Sequence, residues 1–217
     1  MRKIFLLLAM GILTCTQITL AGDDDLFFEF QAGISHQINN VWKMSVSEKL
    51  YYSDTGSLFA NETDIGFAYS GLADWLVLSW NFKYAEGNPT GDNWIREYRP
   101  HFNVTIKDKI GNIPWSNRTR IEYRDFDEKK DHWRLRNKLL LDMPFKIPVL
   151  NATPYVGDEV LFNLSENGFN QNRLYTGLKF NISKNIKANL YYYWLKIQRT
   201  GRWDEASVIG ASLTWKL

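Results

Sequence analysis

The sequence predicts an all-β fold, an antiparallel up-and-down transmembrane β-barrel of about 10–12 strands. Three observations lead to this prediction: residues that alternate between polar and apolar, an export signal, and long strands bounded by tryptophan. The alternation is clearest over residues 118–124, where every second residue is charged and the residues between are not. Side chains alternate faces along a strand, so this segment has one ionic face and one uncharged face.

The first 21 residues predict a secretory signal peptide. Arg2 and Lys3 precede an apolar run over residues 4–13, and small or polar residues follow up to Ala21, the expected cleavage site. The run is shorter than the roughly 20 residues that a membrane-spanning helix needs. A lipidated Cys15 is the alternative, which Thr14 disfavours because a smaller residue is expected before such a cysteine. Residues 22–217 are expected to form one barrel domain.

Composition excludes several classes of protein. Cys15 is the only cysteine, so a chain cleaved after Ala21 has no disulfide and no thiolate metal site. Removal of Arg2 and Lys3 leaves equal numbers of basic and acidic residues, which gives no electrostatic basis for binding nucleic acid. No later segment resembles a transmembrane helix, and the mean hydropathy is −0.34.

Eleven strands are expected along the rest of the chain. Each has one largely apolar face, as on the fourth, where Leu78, Trp80 and Phe82 oppose Ser79, Asn81 and Lys83. The expected strands span residues 26–38, 41–53, 62–70, 75–84, 94–107, 113–124, 132–142, 152–163, 169–181, 186–199 and 206–217.

The connections are expected to alternate between tight turns and longer polar loops, which is typical of outer-membrane barrels. Residues 143–151 break this alternation. An odd strand count is also unexpected, because bacterial single-chain barrels have even numbers of strands. Either the 26–38 strand lies outside a ten-strand wall, or one strand has been missed or merged.

A soluble β-barrel shows the same alternation with the faces reversed, so the pattern alone leaves both alternatives open. Strands of 10–13 residues favour the membrane barrel. Tryptophans near the expected strand ends also favour it, since aromatic girdles form at the two membrane interfaces. The tryptophans near strand ends are Trp42, Trp75, Trp94, Trp115, Trp133, Trp194 and Trp215, whereas Trp80 lies within a strand and Trp203 in a loop. The alternating apolar segment over residues 213–217 resembles a barrel-assembly signal, although Leu217 is not aromatic.

In a membrane barrel the charged faces of neighbouring strands point into the lumen. Acids and arginines on adjacent strands can pair there and fix the register. An excess of positive charge would instead make an anion-preferring constriction. The candidate lumen cluster comprises Glu97, Arg99, Arg118, Arg120, Glu122, Arg124, Arg134, Arg136, Lys138, Glu159 and Arg173. His101 shares this face, and Arg96 lies on the opposite one.

No enzyme active site is expected. A serine hydrolase needs a histidine beside its serine, yet His36 and Ser35 fall on opposite faces and no serine shares the face of His101 on its strand. Glu122 and Glu159 are the one interior carboxylate pair, and the surrounding arginines favour a structural role. No residue spacing predicts a metal site, and no cofactor is expected.

Several motifs together resemble a family of bacterial outer-membrane barrels known as domain of unknown function 2490. The matching segments are residues 97–100, 117–124, 133–137, 154–155 with Glu159, and 172–178. The resemblance rests on the order and spacing of these segments, and it covers the chain from about Phe28 to the end. The resemblance implies a β-barrel in the outer membrane and supplies no substrate.

The expectation is therefore an exported protein of the bacterial outer membrane with a charged lumen. It would act as a narrow pore or as a structural barrel. Its expected partners are outer-membrane lipid and, during insertion, the barrel assembly machinery. A soluble periplasmic barrel with an apolar ligand and a lipid-modifying enzyme of the outer membrane remain the alternatives.

Overall fold

A computed structural model describes residues 25–88, 93–165, 168–199 and 201–217; the predicted signal peptide lies outside them. In this part of the chain no helix has the length and apolar character needed to cross a membrane. The strands are β1 (Asp25–Gln37), β2 (Trp42–Ser53), β3 (Leu58–Ala73), β4 (Leu76–Gly87), β5 (Ile95–Ile110), β6 (Ile113–Phe126), β7 (His132–Asp142), β8 (Ala152–Asn163), β9 (Gly168–Asn181), β10 (Ile186–Arg199) and β11 (Arg202–Lys216).

These eleven strands close into a single barrel. Each strand pairs antiparallel with the next, as the sequence predicts, but β1 closes the wall against β11 in parallel. Both explanations for the odd strand are therefore wrong: β1 is part of the wall, and the described residues contain no twelfth strand. With an odd number of strands the first and last run in the same direction, so only a parallel pairing can join them. The Leu217 amide extends this seam with a 2.8 Å hydrogen bond to the Ser35 carbonyl.

The two open ends of the barrel are named here the Asp25 mouth and the Leu217 mouth. The connection between β2 and β3, expected to be long, shrinks to the four residues 54–57 at the Asp25 mouth. The nine residues 143–151 at the Leu217 mouth form the longest connection that is fully described. The sequence predicts short turns at one mouth and long loops at the other, but the described connections do not separate the two mouths so clearly.

Strand boundaries agree with the predicted ones to within three residues except at two places. The bounds of β7, β8 and β10 are those predicted, whereas β3 begins four residues early, at Leu58, and β11 begins at Arg202 instead of residue 206. Trp203 thus lies in a strand, and Trp194 lies in the interior of β10. Both β3 and β11 begin early because pairing with a neighbouring strand continues the sheet through residues that alone favour a turn.

The strands are tilted relative to the barrel axis. A row of paired residues that starts at Phe30 passes through Leu50, Asn61 and Glu86 to Arg96. Phe30 is five positions from the start of β1, but Arg96 is one position from the start of β5, so the row climbs toward the Asp25 mouth. Such staggering is what closes a tilted sheet into a barrel.

The outer face of the barrel is largely apolar and the inner face carries the charges. Outward Phe30 and Trp80 are 49% and 47% exposed, whereas inward Glu29 and Glu159 are each 1% exposed. A soluble barrel would bury the aromatic residues and expose the carboxylates. The alternation in the sequence therefore has its apolar side outward.

Tyrosine and glycine alternate along one row of the inner wall. Tyr155 pairs with Gly177, Gly177 with Tyr191, and Tyr191 with Gly210. A Cβ atom on Gly210 would lie 2.2 Å from the ring of Tyr191, and one on Gly177 would lie 2.7 Å from the ring of Tyr155. The glycines provide the space in which each ring lies against the neighbouring strand.

We expect the change Gly210→Val to destabilise the barrel by about 1–3 kcal/mol, because the new side chain overlaps the Tyr191 ring. Urea unfolding followed by tryptophan fluorescence would measure the loss. Ala211→Val is the matched control, since Ala211 is the next residue and faces outward. Equal effects of the two changes would contradict the packing role of Gly210.

Candidate functional site

The barrel encloses a cavity of about 540 Å³. Its lining extends from Phe59 and Phe126, near the Asp25 mouth, to Asn189 and Ser212 in the other half of the barrel. A second cavity of about 340 Å³ lies toward the Leu217 mouth, and the two share Asn189 and Ser212 as lining residues. Together the cavities follow the lumen along most of its length.

The structure brings all eleven residues of the candidate lumen cluster to the interior. Ten of them line the larger cavity. The exception is Glu122, which is 0% exposed and lies behind its arginine partners. Because the cluster lies on the consecutive strands β5 to β9, its members are neighbours around the wall.

Glu122 contacts three arginines from two strands. It pairs with Arg134 through the Arg134 Nε, and its Oε2 lies 3.7 Å from both Arg120 Nη1 and Arg136 Nη1. Arg134 is its direct cross-strand partner in the register of β6 and β7. A carboxylate shared in this way offsets the repulsion among the three guanidinium groups.

Glu159, on β8, holds a second group of cations, which lie on β6, β7 and β9. Its Oε1 accepts hydrogen bonds from Arg136 Nη2 at 2.8 Å and Arg118 Nη2 at 3.2 Å. Its Oε2 accepts one from the Tyr175 hydroxyl at 3.0 Å and lies 3.8 Å from Arg173 Nη1. Arg136 therefore bridges Glu122 and Glu159, so the two groups form one network.

Glu97 pairs with two arginines near the Asp25 mouth. Arg99 donates two hydrogen bonds to it, at 2.7 and 2.6 Å, and Arg124 also donates two, one of them at 2.8 Å. Bidentate pairs of this kind fix the orientation of both side chains. Arg99 also donates to Glu62 on β3 at 3.2 Å, which extends the network beyond the predicted cluster.

Several charged interior residues were missing from the candidate cluster. Lys83 donates to Glu62 at 2.6 Å and lies 3.8 Å from Asp64. Lys49 pairs with Glu29 at 3.3 Å. The same alternation places Glu29, Lys49 and Lys83 on inward faces, so this signal was present in the sequence. Glu62 is the first residue of the expected third strand, where it alternates with Ile65 and Phe67, so its inward face was also visible in the sequence.

Glu29 joins the two sides of the parallel seam. It lies on β1 and accepts hydrogen bonds from two tyrosines of β10, Tyr191 at 2.8 Å and Tyr193. The intervening strand β11 has Gly210 beside Glu29, so these hydroxyl groups reach across a position without a side chain. The buried carboxylate thus connects three strands where the barrel closes.

Replacing Tyr193 by phenylalanine is expected to lower stability by about 1.5–3 kcal/mol, because a buried carboxylate loses a hydrogen-bond donor. The midpoint of thermal unfolding would report the change. Tyr192→Phe, on the outer face, removes a hydroxyl bonded at 3.1 Å to neutral Ser207 and should cost less. The assignment fails if Tyr192→Phe is the more damaging change.

Lys138 and Arg118 have N–H groups that make no hydrogen bond within the ionic network. The Lys138 ammonium lies 3.5 Å from the centre of the Tyr175 ring, and among the described residues no carboxylate is within ion-pair distance of it. The Arg118 side chain is one-third exposed, and its Nε has no hydrogen-bond partner there. Both residues line the larger cavity, where the Lys138 ammonium and the exposed part of the Arg118 guanidinium can bind an anion, whereas the Arg118 Nε itself is buried.

His101 is buried, and its contacts do not form a catalytic pair. Its Nδ1 lies 3.2 Å from the Arg99 carbonyl and its Nε2 lies 3.5 Å from Asp64. A nucleophilic mechanism needs a hydroxyl or thiol bonded to the imidazole, and none contacts it in the described part of the chain. Across residues 25–88, 93–165, 168–199 and 201–217, no cluster of His, Asp and Glu is placed to hold a metal ion.

Comparison with solved structures shows the same fold in a porin. The structure titled "NanC porin structure in rhombohedral crystal form" aligns over 89% of this chain and 99% of its own, with a TM-score of 0.54 and 12% identity. The structure titled "KdgM porin" aligns over 82% of this chain and 87% of its own, with a TM-score of 0.49 and 16% identity. The first comparison confirms the predicted barrel architecture.

Comparison of sequences confirms the predicted family resemblance. The model of a family described as "Protein of unknown function (DUF2490)" matches residues 28–206. No curated protein sequence matches the chain.

Proposed function

The chain belongs to the DUF2490 family of proteins of unknown function, and we propose that it is an outer-membrane β-barrel whose narrow lumen favours anions. Outer-membrane lipid surrounds the wall, and the barrel assembly machinery inserts the exported chain. The lumen admits small solutes and is restricted by the ionic network on β5 to β9.

The orientation of the two faces is the observation that carries this proposal. Aromatic and aliphatic side chains cover the outer wall, including Phe67, Phe82 and Leu174, each of which is exposed. Arginine and glutamate side chains lie inside, where Arg99 and Glu97 are buried. Such a barrel is unfavourable in water, but in a bilayer its apolar wall contacts lipid.

The anion preference follows from the charges that line the larger cavity. Positive side chains outnumber acids there, by eleven to six among the described lining residues. The potential of a narrow lumen with low-dielectric walls concentrates ions of the opposite sign. The positive residues are Lys49, Lys83, Arg99, Arg118, Arg120, Arg124, Lys129, Arg134, Arg136, Lys138 and Arg173, and the acids are Glu29, Glu62, Asp64, Glu86, Glu97 and Glu159.

Fractionation of expressing cells tests the location. We expect the protein in the outer-membrane fraction, with a faster gel band before boiling than after, since a folded barrel resists detergent. A protein recovered from the soluble periplasmic fraction without a mobility shift would contradict the membrane assignment.

Planar-bilayer recording tests the pore. We expect small channels whose reversal potential in a KCl gradient indicates chloride preference. An outer-membrane protein without conductance would be a structural barrel, and a cation-selective one would refute the reasoning from lumen charge.

A further inference from the structure

The outer wall carries a polar surface that the lumen function does not explain. A group of polar side chains that hydrogen-bond to one another faces outward in the middle of β6 to β9, beside apolar residues such as Leu135, Leu139 and Leu174. This outer polar patch consists of Asn117, Thr119, Asn137, Asp158 and Asn172.

Hydrogen bonds join the patch into two small groups. Asn137 Nδ2 donates to Asn117 Oδ1 and to Thr119 Oγ1, both at 2.9 Å, and Asn117 Nδ2 donates to Asn137 Oδ1 at 3.0 Å. On the neighbouring strands, Asn172 Nδ2 donates to Asp158 Oδ1 at 2.6 Å. These contacts hold the side chains in place on the surface of the wall.

The patch lies halfway between the two mouths. Asn137 is the sixth residue of the eleven in β7, and Asp158 is the seventh of the twelve in β8. In the membrane that the proposed function requires, this height is the middle of the hydrocarbon layer. Polar groups there have no water to bond with, and a carboxylate facing lipid is unfavourable.

The unused hydrogen-bonding groups on either side of β7 are complementary. Thr119, on β6, accepts a bond from Asn137, and its own hydroxyl proton has no acceptor among the described residues. Asp158, on β8, uses Oδ1 for Asn172, and its Oδ2 has no donor there. The patch thus has a spare donor on one side of Asn137 and a spare acceptor on the other.

The tilt of the strands brings this donor and this acceptor to similar heights. Thr119, Asn137 and Val160 form one row of paired residues. They lie seven, five and three positions from the strand ends at the Asp25 mouth, so the row climbs toward that mouth. The β8 residue level with Thr119 is therefore nearer the Leu217 mouth than Val160, and the next outward residue in that direction is Asp158.

We propose that the outer polar patch is the contact surface of a two-fold symmetric dimer of this chain, with β7 of one copy facing β7 of the other. Two barrels inserted in the same direction share a two-fold axis along the membrane normal, so each residue meets the partner's surface at its own height. An axis along β7 places Thr119 of each copy opposite Asp158 of the other. Asn137 lies on the axis, and its two amide hydrogens remain bonded to Asn117 and Thr119 of its own copy.

Cysteine cross-linking in membranes tests the geometry of this contact. In a Cys15→Ser background, Leu139→Cys beside the patch should give a disulfide-linked dimer upon mild oxidation. Val46→Cys, on β2 across the barrel and similarly exposed, is the matched control and should remain monomeric. Cross-linking from both positions, or from neither, would overturn the proposed interface.

Removing the polar side chains tests whether they stabilise the dimer contact. We expect Thr119→Val with Asp158→Leu to weaken dimerisation by about tenfold or more, measured by sedimentation in detergent micelles. Glu48→Leu removes another outward acid, bonded to Thr63, from the opposite wall and should leave the dimer unchanged. A wild-type monomer in micelles and in membranes would refute the dimer. The heat-modifiable gel band reports independently whether the membrane barrel itself has formed.

Discussion

Replacing Glu122 by glutamine should destabilise the barrel by about 3–5 kcal/mol, the cost of removing one partner from a buried ionic group. Glu122 is 0% exposed and neutralises Arg134, Arg120 and Arg136. The amide keeps the volume but removes the negative charge, so three guanidinium groups remain close together with less compensation. Urea unfolding of the barrel in micelles, followed by tryptophan fluorescence, measures the loss.

Glu86→Gln is the matched control for this change. Glu86 lies 3.5 Å from Arg96, whose side chain is largely exposed, and it accepts a hydrogen bond from the Tyr84 hydroxyl that a glutamine amide oxygen can still accept. Exposed ion pairs contribute little, so we expect the control to unfold at nearly the wild-type urea concentration. Comparable losses from both changes would show that the interior network does not hold the wall together.

Neutralising Lys138 and Arg118 should reduce the anion preference of the lumen by about fivefold for each charge removed, the effect of one unit charge about 4 Å away in water. Neither residue is essential to the ionic network: Lys138 contacts the Tyr175 ring, and Glu159 retains Arg136 when Arg118 is lost. The variant Lys138→Met with Arg118→Gln should therefore fold while losing two positive charges from the lumen.

Reversal potentials in a salt gradient measure this preference for the variant and the wild type. Lys107→Met with Lys109→Gln is the control, because it removes two positive charges from the end of β5 without altering the larger cavity. An unchanged chloride preference in the lumen variant would assign the selectivity to other residues. An equal decrease in both variants would indicate an effect of net charge alone.

Periodicity was sufficient to predict the wall and most of its inner face. Arg118, Arg120 and Glu122 occupy alternate positions, so a single strand already shows which side they share. Which acid meets which base was not predictable, because this depends on the stagger between strands. Arg136 lies beside Arg120 in the register, yet its side chain reaches Glu122 and Glu159.

The closure of the barrel and the start of β3 could not be predicted from local sequence patterns, because both depend on pairing with other strands. Residues 58–61 follow Asp54 and Gly56, which favour a turn, but pairing with β2 and β4 continues the strand through them. The partner of β1 is distant in sequence, and no alternation within β1 identifies it. The outer polar patch is visible in the sequence as Asn137 among leucines, although its complementarity appears only when β6 and β8 are placed around β7.

The contacts of Glu29 also imply an order of assembly. The ion pairs that Glu122 and Glu159 make with arginine join residues 2 to 41 positions apart, so those strands can associate as successive hairpins. Glu29 reaches Tyr191 and Tyr193 across 162 and 164 positions. Closing so long a loop is the slower event, so this junction is expected to form last and to open first under mechanical or thermal stress.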